Sequence, residues 1–288
     1  MKQLLQAVGY YTVYGGIFIF SILPLSILYL FSDLAFFFVY HIAGYRRAVV
    51  VQNLSRAFPE KRYSEINRIN KTFYRVFTGY FAEIAKMISA SARQMEQRVR
   101  FKNAQIIDEY TGRGKNVIIA LGHCGNWEML STAPLALKSD IYAVYKPLRN
   151  RIFNRLMIRI RSRFGMKPIP SDAVTRHILN RDSPAAAYLF LADQCPGRVT
   201  KENKYTFLNQ ESGMYKGIEK LAKKTDSAVV FFHITHRERG HYLIECIPIC
   251  ENGRTDKIDI IPVFIQLLEK NIREKPHGWL WSHKRWKR

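Results

Sequence analysis

The residues best suited to chemistry lie in the segment 121–128, Leu-Gly-His-Cys-Gly-Asn-Trp-Glu, where a histidine and a carboxylate are five positions apart. The apolar run before it, Val117 to Leu121, lies between Gly114 and Gly122 and is typical of a buried strand. The pattern therefore predicts a histidine at the carboxyl end of a strand, followed by a helix that Asn126 caps.

His123 and Glu128 together predict an activated base. A strand, a tight turn and one helical turn can bring the carboxylate beside the imidazole and fix its tautomer, so that the other ring nitrogen takes a proton from a hydroxyl. Cys124 is an alternative as a thiol nucleophile, although neighbours on an extended chain point to opposite sides. A structural histidine beside an exposed glutamate is the other alternative, and the spacing alone does not separate these readings.

The first 45 residues predict a membrane anchor. From Tyr10 to Tyr45 the only formally charged side chain is Asp33, and Val13 to Phe31 is long and apolar enough to cross a bilayer. Pro24 and the aspartate interrupt the stretch, which leaves two possibilities: one kinked span with an interfacial helix, or a re-entrant hairpin. A secretory signal is disfavoured by the length of the stretch and by the lack of a convincing small-residue cleavage site.

The charges around this stretch predict its orientation. One lysine, Lys2, precedes it, whereas the residues after it include Arg46, Arg47, Arg56, Lys61 and Arg62. Because basic residues concentrate on the cytoplasmic side of a membrane, we expect residues 46–288 to form a catalytic domain that faces the cytosol, behind an anchor of residues 1–45.

The whole chain is strongly basic, with 45 Lys plus Arg against 23 Asp plus Glu and a formal charge of +22. Such an excess indicates a polyanionic partner or surface. Residues 150–163 alternate arginines with apolar residues and predict an amphipathic basic helix, which suits a membrane surface or phosphorylated lipid head groups better than a nucleic acid duplex. A charged, solvated face on a core helix is the alternative. No nucleic-acid motif occurs, and the four cysteines lack the spacing of a disulfide framework or zinc site.

Apolar runs and helical patterns alternate along the remaining chain, which predicts a single α/β domain. The predicted strands are 117–121, 141–146, 167–169, 185–192, 228–235 and 241–249. The predicted helices are 53–92 (broken near Pro59), 127–138, 150–163, 172–180, 214–224 and 257–273. If the strands are parallel, their carboxyl ends bring His123, Lys146 and Asp193 to one mouth, where ligands of open α/β sheets bind.

In several segments the chain resembles the late acyltransferases of lipid A biosynthesis. These enzymes are the lauroyl/myristoyl transferase type within the lysophospholipid acyltransferase superfamily. The matching segments come in the family's order and span about Arg46 to Lys287. They are the His123/Glu128 motif, Tyr-Lys-Pro-Leu-Arg-Asn at 145–150, Ala-Asp-Gln at 192–194, and the tryptophan-rich basic segment 279–287.

The resemblance implies a glycerolipid-acyltransferase-like mixed sheet flanked by helices, with an N-terminal membrane-anchoring helical segment. It implies transfer of a fatty acyl group from acyl carrier protein or coenzyme A to a hydroxyl of a lipid A precursor at the inner membrane. His123 would be the base and Glu128 its orienter, with no acyl-enzyme and no metal or other cofactor. A glycolipid acceptor and the membrane are the implied partners, and nucleic acid is not.

The resemblance also implies substrate-binding residues: Asn126, Lys146, Arg149, Asn150, Asp193 and Gln194. A surface turn is the alternative for the group at 146–150, and a helix or loop cap is the alternative for the pair at 193–194. An oxyanion requires donors, for which backbone N–H groups near Gly125 and Asn126, or a cationic side chain, are available.

One segment departs from the family pattern. Residues 211–217 replace the small residues and threonine that the family places before its next helix, so the acceptor remains open between lipid A and another hydroxylated lipid, such as an acyl-amino-acid lipid. A lipid hydrolase that uses the same dyad and a membrane-tethered binding protein are further alternatives. The C-terminal tryptophans among Lys284, Arg285, Lys287 and Arg288 suit an interfacial belt or a packed terminal segment.

Overall fold

The computed structural model describes residues 2–180, 183–197, 199–254 and 258–286, with backbone alone for residues 2–5. The chain begins with two helices, α1 (Lys2–Ile22) and α2 (Leu25–Phe37), and a π-helical turn, Phe38–Ile42, continues α2. The break falls at Pro24, which cannot donate a helical hydrogen bond. The apolar run Val13 to Phe31 is therefore divided between two helices at Pro24, as the sequence indicated, and the choice between a kinked span and a re-entrant hairpin stays a prediction.

By length and composition, one helical stretch of the described residues, Leu25–Ile42, could cross a membrane. Of this stretch, 28% is buried inside the protein. The predicted boundary between an anchor, residues 1–45, and a catalytic domain stays a prediction.

Three further helices precede the sheet: α3 (Arg47–Ala57), α4 (Tyr63–Lys86) and α5 (Ala92–Arg98). The long helix α4 is amphipathic, and it packs against α1, α2 and α3. Lys86 at its end donates to the carbonyl oxygens of Ser21 (2.9 Å) and Leu23 (3.0 Å), which lie at the end of α1 beside the break at the proline. The N-terminal helices are thus packed onto the body of the protein.

A seven-stranded mixed sheet forms the centre of the fold, in the order β1-β9-β8-β2-β5-β3-β4. Its strands are β1 (Val99–Lys102), β2 (Val117–Leu121), β3 (Ile141–Tyr145), β4 (Lys167–Pro170), β5 (Ala187–Leu191), β8 (Ala228–Glu238) and β9 (His241–Cys250). A separate antiparallel hairpin consists of β6 (Lys204–Phe207) and β7 (Gln210–Gly213).

Five neighbouring strands, β8, β2, β5, β3 and β4, run parallel, whereas β9 is antiparallel to β8 and β1 is parallel to β9. All five residues of β2 are buried, which explains its unbroken Val-Ile-Ile-Ala-Leu sequence. The helices α6 (Gln105–Gly112), α7 (Arg151–Ser162), α8 (Val174–Leu179), α9 (Gly217–Thr225) and α10 (Ile260–Glu274) lie between or after the strands. The predicted α/β class with a mixed sheet and flanking helices is confirmed.

Several predicted elements differ from the structure at their bounds, and the helix predicted at 53–92 is divided among α3, α4 and α5. The predicted helix 127–138 is a 3-10 helix, Trp127–Leu135, that contains Pro134, and it ends earlier than predicted. The predicted helix 257–273 begins at Ile260, and residue 257 lies outside the described residues. The sequence patterns also gave no signal for the short strands β1, β6 and β7.

Candidate active site

His123 lies just beyond the carboxyl end of β2, and Asp193 lies just beyond the end of the neighbouring parallel strand β5. The register pairs Leu121 with Leu191, and the Ala192 N–H donates to the Leu121 carbonyl at 2.9 Å. Continuing that register by two residues places His123 opposite Asp193. The sheet therefore brings together two residues that are 70 positions apart in the chain.

Two hydrogen bonds join His123 to Asp193. The imidazole Nδ1 is 2.5 Å from Asp193 Oδ1, and the His123 backbone N–H donates to Oδ2 at 2.8 Å. A carboxylate on Nδ1 favours the tautomer with a proton there, which leaves the Nε2 lone pair as the base. This is the geometry of a histidine held ready to accept a proton.

Asp193 is almost completely buried, with 2% of its side chain exposed, yet it is held as a carboxylate. Burial alone raises its pKa, but the charge of His123 and the hydrogen bonds from His123 and Trp279 outweigh burial and hold the pKa at about 2. The indole Nε1 of Trp279 donates to Oδ2 at 2.7 Å. Asp193 is thus fixed from two sides.

The segment that carries Trp279 pairs with the loop after β2. The Gly125 N–H donates to the Gly278 carbonyl at 2.9 Å, the Leu280 N–H donates to the His123 carbonyl at 3.1 Å, and Cys124 and Trp279 form an isolated antiparallel bridge. The C-terminal segment is therefore an extra extended strand beside the candidate base. Because the Gly125 N–H is engaged, it is removed from the groups available as oxyanion donors.

Space is tight just before the histidine. A Cβ atom on Gly122 would lie 2.4 Å from Leu268 Cδ1 and 3.1 Å from Asp193 Oδ2. A side chain at this position would therefore displace the end of the Leu268 side chain and crowd the Asp193 carboxylate.

Glu128 does not contact His123, which corrects its expected role as the residue that orients the imidazole. Its carboxylate accepts two hydrogen bonds from Arg161 of α7, from Nε at 2.8 Å and from Nη2 at 2.6 Å. The physical reason lies in the loop: Gly125 has a positive φ of 59°, and the 3-10 helix that follows carries Glu128 to α7. The carboxylate at the imidazole is that of Asp193.

The opposite ring nitrogen of His123 is less enclosed. Gln194 Nε2 lies 3.4 Å from His123 Nε2, a long contact for a hydrogen bond, and the Trp127 ring packs edge-on against the imidazole with ring centroids 4.8 Å apart. A reacting group can reach Nε2 from the side of Gln194, an exposed residue.

A model of the bacterial lipid A biosynthesis acyltransferase family matches residues 2–288 of this chain. The chain belongs to this family. A lipid A biosynthesis acyltransferase of Haemophilus influenzae is 21% identical over 245 residues, which cover 84% of this chain and 76% of the relative. The match confirms the resemblance seen in the sequence, and the protein is an acyltransferase.

A solved structure, the 1-acyl-sn-glycerophosphate acyltransferase PlsC of Thermotoga maritima, matches 89% of this chain and 99% of its own at 11% identity. The TM-score of this match is 0.38.

In this acyltransferase Cys124 is buried beside the base, and burial raises the pKa of its thiol well above the ordinary value. A thiol of this kind is a poor nucleophile because little thiolate forms. The structure therefore favours His123 over the thiol alternative.

Asn126 is buried, and it does not cap the helix that follows, which corrects that expectation. Its amide donates to Glu83 Oε2 at 2.9 Å, and the same carboxylate accepts from Tyr242 (2.7 Å) and Tyr29 (3.0 Å). Burial raises the pKa of Glu83, and the three hydrogen bonds oppose that effect. Sequence reasoning missed this anchor, although a single carboxylate on the apolar side of α4 is a usable signal.

The other predicted substrate residues lie at the end of β3. Lys146 and Arg149 are exposed in the loop between β3 and α7, and the Asn150 side chain accepts from the N–H groups of Ile152 (2.9 Å) and Phe153 (3.2 Å) as the cap of α7. Because β5 separates β3 from β2, this loop starts about 10 Å from the base. The three residues lie at the correct edge of the sheet, and their contact with substrate stays a prediction.

The predicted basic helix forms as α7, and two of its exposed arginines lie over tyrosine rings of α1. The guanidinium of Arg155 lies 4.1 Å from the Tyr10 ring centroid, and that of Arg159 lies 4.5 Å from the Tyr14 ring centroid, both on α1. Binding of α7 to a membrane surface stays a prediction.

The described part of the tryptophan-rich basic segment 279–287, the C-terminal signature, packs inside the protein, which favours the packed terminal segment over the interfacial belt. Trp279, Trp281 and Arg285 are 2%, 0% and 1% exposed. Trp281 packs against Phe58, and its backbone carbonyl accepts a hydrogen bond from Asn53 of α3 at 2.9 Å. The predicted contributions of Lys287 and Arg288 lie outside the described residues.

Proposed function

We propose that this protein transfers a fatty acyl group from a thioester to a hydroxyl of a lipid A precursor, with His123 as general base and Asp193 as the group that orients it. The observation that carries the proposal is the hydrogen bond between His123 Nδ1 and a buried Asp193 carboxylate, at the carboxyl edge of the parallel strands. The family supports a lipid as acceptor.

The reaction proceeds by direct attack. The acceptor hydroxyl gives its proton to His123 Nε2 while its oxygen attacks the thioester carbon, and the resulting oxyanion collapses to the ester and a thiolate. The imidazolium, stabilised by Asp193, then returns the proton to the leaving thiolate. No acyl-enzyme forms, and the buried Cys124 takes no part.

An oxyanion donor is needed beside Nε2. Since the Gly125 N–H is used, the candidates are the N–H groups at the start of the 3-10 helix Trp127–Leu135, which have no partner within the helix. We assign to Glu128 and Arg161 the task of holding that helix start in place, through their buried bidentate contact.

The proposal also covers the donor of the acyl group and the location of the protein. Acyl carrier protein or coenzyme A would carry the acyl group, and the apolar stretch Leu25–Ile42 would attach the protein to the inner membrane with its sheet facing the cytoplasm. The net charge of +22 favours an acidic carrier protein and an anionic membrane surface.

The test is acyl transfer by the purified full chain in detergent, with labelled acyl carrier protein and acyl-coenzyme A as donors. The acceptors are a lipid A precursor, another hydroxylated lipid and water, with products identified by mass spectrometry. We expect ester product on the lipid A precursor that is lost in His123→Ala and Asp193→Asn. Release of free fatty acid that is unaffected by acceptor would replace the proposal with a hydrolase.

A further inference from the structure

A cavity of 480 Å³ lies beside the proposed dyad and has no role in the mechanism above. The loop after β5, the hairpin of β6 and β7 and the C-terminal signature form its walls. Its lining includes Cys195, Lys201, Lys204, Ser212, Arg285 and Trp286. Cys195 is two residues beyond Asp193, so one wall of the cavity directly follows the dyad along the chain.

Arg285 is the notable residue in this wall because it is 1% exposed and no acidic side chain of the described residues pairs with it. One nitrogen, Nη2, donates to the Gly213 carbonyl at 2.7 Å and lies 2.8 Å from Met214 Sδ. Within the described structure, Nε and Nη1 are buried without a hydrogen-bond partner. Burial lowers the pKa of the Arg285 guanidinium, and the charge of Asp193 and the Cys195 side chain oppose that effect only in part. The buried charge is therefore incompletely compensated, which favours binding of an anion beside it.

Two other lining residues also have buried polar atoms without a hydrogen-bond partner. Ser212 Oγ and Trp286 Nε1 are buried and lack a partner among the described residues. The cavity also carries a positive balance, since Lys201, Lys204 and Arg285 line it against one carboxylate, Glu211, which is paired with Lys204 at 2.6 Å. Several N–H and O–H donors around a guanidinium match the several oxygens of a phosphate better than the two of a carboxylate.

We propose that this cavity binds the phosphate ester of a substrate, with Arg285 as its buried anchor and Ser212 and Trp286 as further donors. The identity of that substrate rests on the proposed function. Two sources supply the same chemistry: the phosphodiester of the donor's phosphopantetheine arm, or a phosphate of the glycolipid acceptor. The Trp286 ring contacts the ring of Trp279, with centroids 5.9 Å apart, and Trp279 donates to Asp193. A bound phosphate is therefore two side chains away from the dyad.

Binding is tested first without catalysis. The full chain in neutral detergent is melted with and without millimolar inorganic phosphate, alongside Arg285→Met and the control Arg100→Met, which removes an exposed arginine of β1. We expect phosphate to raise the Tm of the wild type and the control but not of Arg285→Met. Because Arg285→Met also removes the hydrogen bond to the Gly213 carbonyl, the phosphate-dependent change in Tm of each protein is measured against its own Tm without phosphate. Equal stabilisation of all three proteins, or none in the wild type, would overturn the proposal.

The source of the phosphate is tested by matched substrate pairs. One pair is acyl-phosphopantetheine and acyl-pantetheine, and the other is the phosphorylated and dephosphorylated acceptor. We expect wild type and Arg100→Met to prefer the phosphorylated member of one pair at least tenfold in kcat/KM, and Arg285→Met to lose that preference.

The pair that responds identifies the source. Ser212→Ala should reduce the same preference about twofold to fivefold. If Arg285→Met keeps turnover and slows both members of each pair equally, Arg285 is structural and the proposal fails. If the wild type transfers no acyl group at all, the proposed function fails, while the Tm shift still decides whether phosphate binds.

Discussion

Asp193 and Glu128 are both buried carboxylates beside the loop that carries His123, yet they have different partners. Asp193 contacts the imidazole and the Trp279 indole, whereas Glu128 contacts the guanidinium of Arg161. In the proposed reaction, the first carboxylate faces a group that gains a positive charge. The second faces a group that is always charged.

This difference teaches that distance along the chain is a poor guide to the partner of a catalytic base. Glu128 is five residues from His123, but the turn at Gly125 carries it to α7. Asp193 is 70 residues away, and the register of β2 and β5 places it opposite the histidine. We therefore expect one carboxylate to control turnover and the other to control stability.

The largest expected effect is that of Asp193→Asn. The amide keeps the shape but no longer stabilises the imidazolium and favours the wrong tautomer, so kcat/KM should fall about 10³- to 10⁴-fold. Initial rates of acyl transfer at saturating donor measure this fall in kcat/KM. The control is Glu245→Gln, which changes a surface carboxylate that pairs with Lys102. A loss below tenfold would remove Asp193 from the mechanism.

Glu128→Gln should act mainly on stability. Breaking a buried ion pair leaves Arg161 uncompensated and should cost about 3–5 kcal/mol of unfolding free energy. Glu128→Leu combined with Arg161→Met should recover much of this loss in denaturant titrations. If Glu128→Gln, assayed while fully folded, loses as much activity as Asp193→Asn, then Glu128 acts in turnover and not mainly in stability.

Trp279→Phe removes one hydrogen bond from Asp193 and leaves the ring. A hydrogen bond to a charged group contributes about 1.5–3 kcal/mol, so kcat/KM should fall about 10- to 100-fold with little change in the KM for acceptor. Steady-state kinetics at varied acceptor check this. A rise in KM with unchanged kcat would mean that the indole contacts substrate instead.

The smallest expected effect is in the pH dependence of stability. The pKa of Asp193 in the folded protein is about 2, below the ordinary value of 3.8. Ionised Asp193 therefore adds to the unfolding free energy above pH 4, and this contribution is lost as the pH falls towards 2. The unfolding free energy of Asp193→Asn should therefore depend less on pH between 4 and 2 than that of the wild type. Denaturant titrations across this range test it, and identical slopes would contradict it.

Much of the sheet was predictable because buried parallel strands leave continuous apolar runs. The bounds of β2 matched the prediction, and β5 was found within two residues at its start. The parallel sheet also places His123, Asp193 and Lys146 at one edge, as expected from strand ends. Strand order and register were not predictable, because they depend on contacts between distant segments, and so the true partner of His123 was missed.

The C-terminal signature shows the other limit of sequence reasoning. Tryptophans among basic residues are typical of a membrane interface, but Trp279 and Trp281 are buried and Arg285 lines a cavity. Composition reports what a segment is able to contact, whereas burial depends on the surface that the fold offers. Asn53 of α3 and Asp193 after β5 provide the partners that draw this segment inward.

The extended segment at Trp279 also sets the order in which the site can be completed during synthesis. Every strand of the sheet, His123 and Asp193 leave the ribosome before Trp279, so a growing chain can pair the base with its carboxylate before the indole is available. The hydrogen bond from the indole to Asp193 is therefore among the last contacts of the candidate site to form.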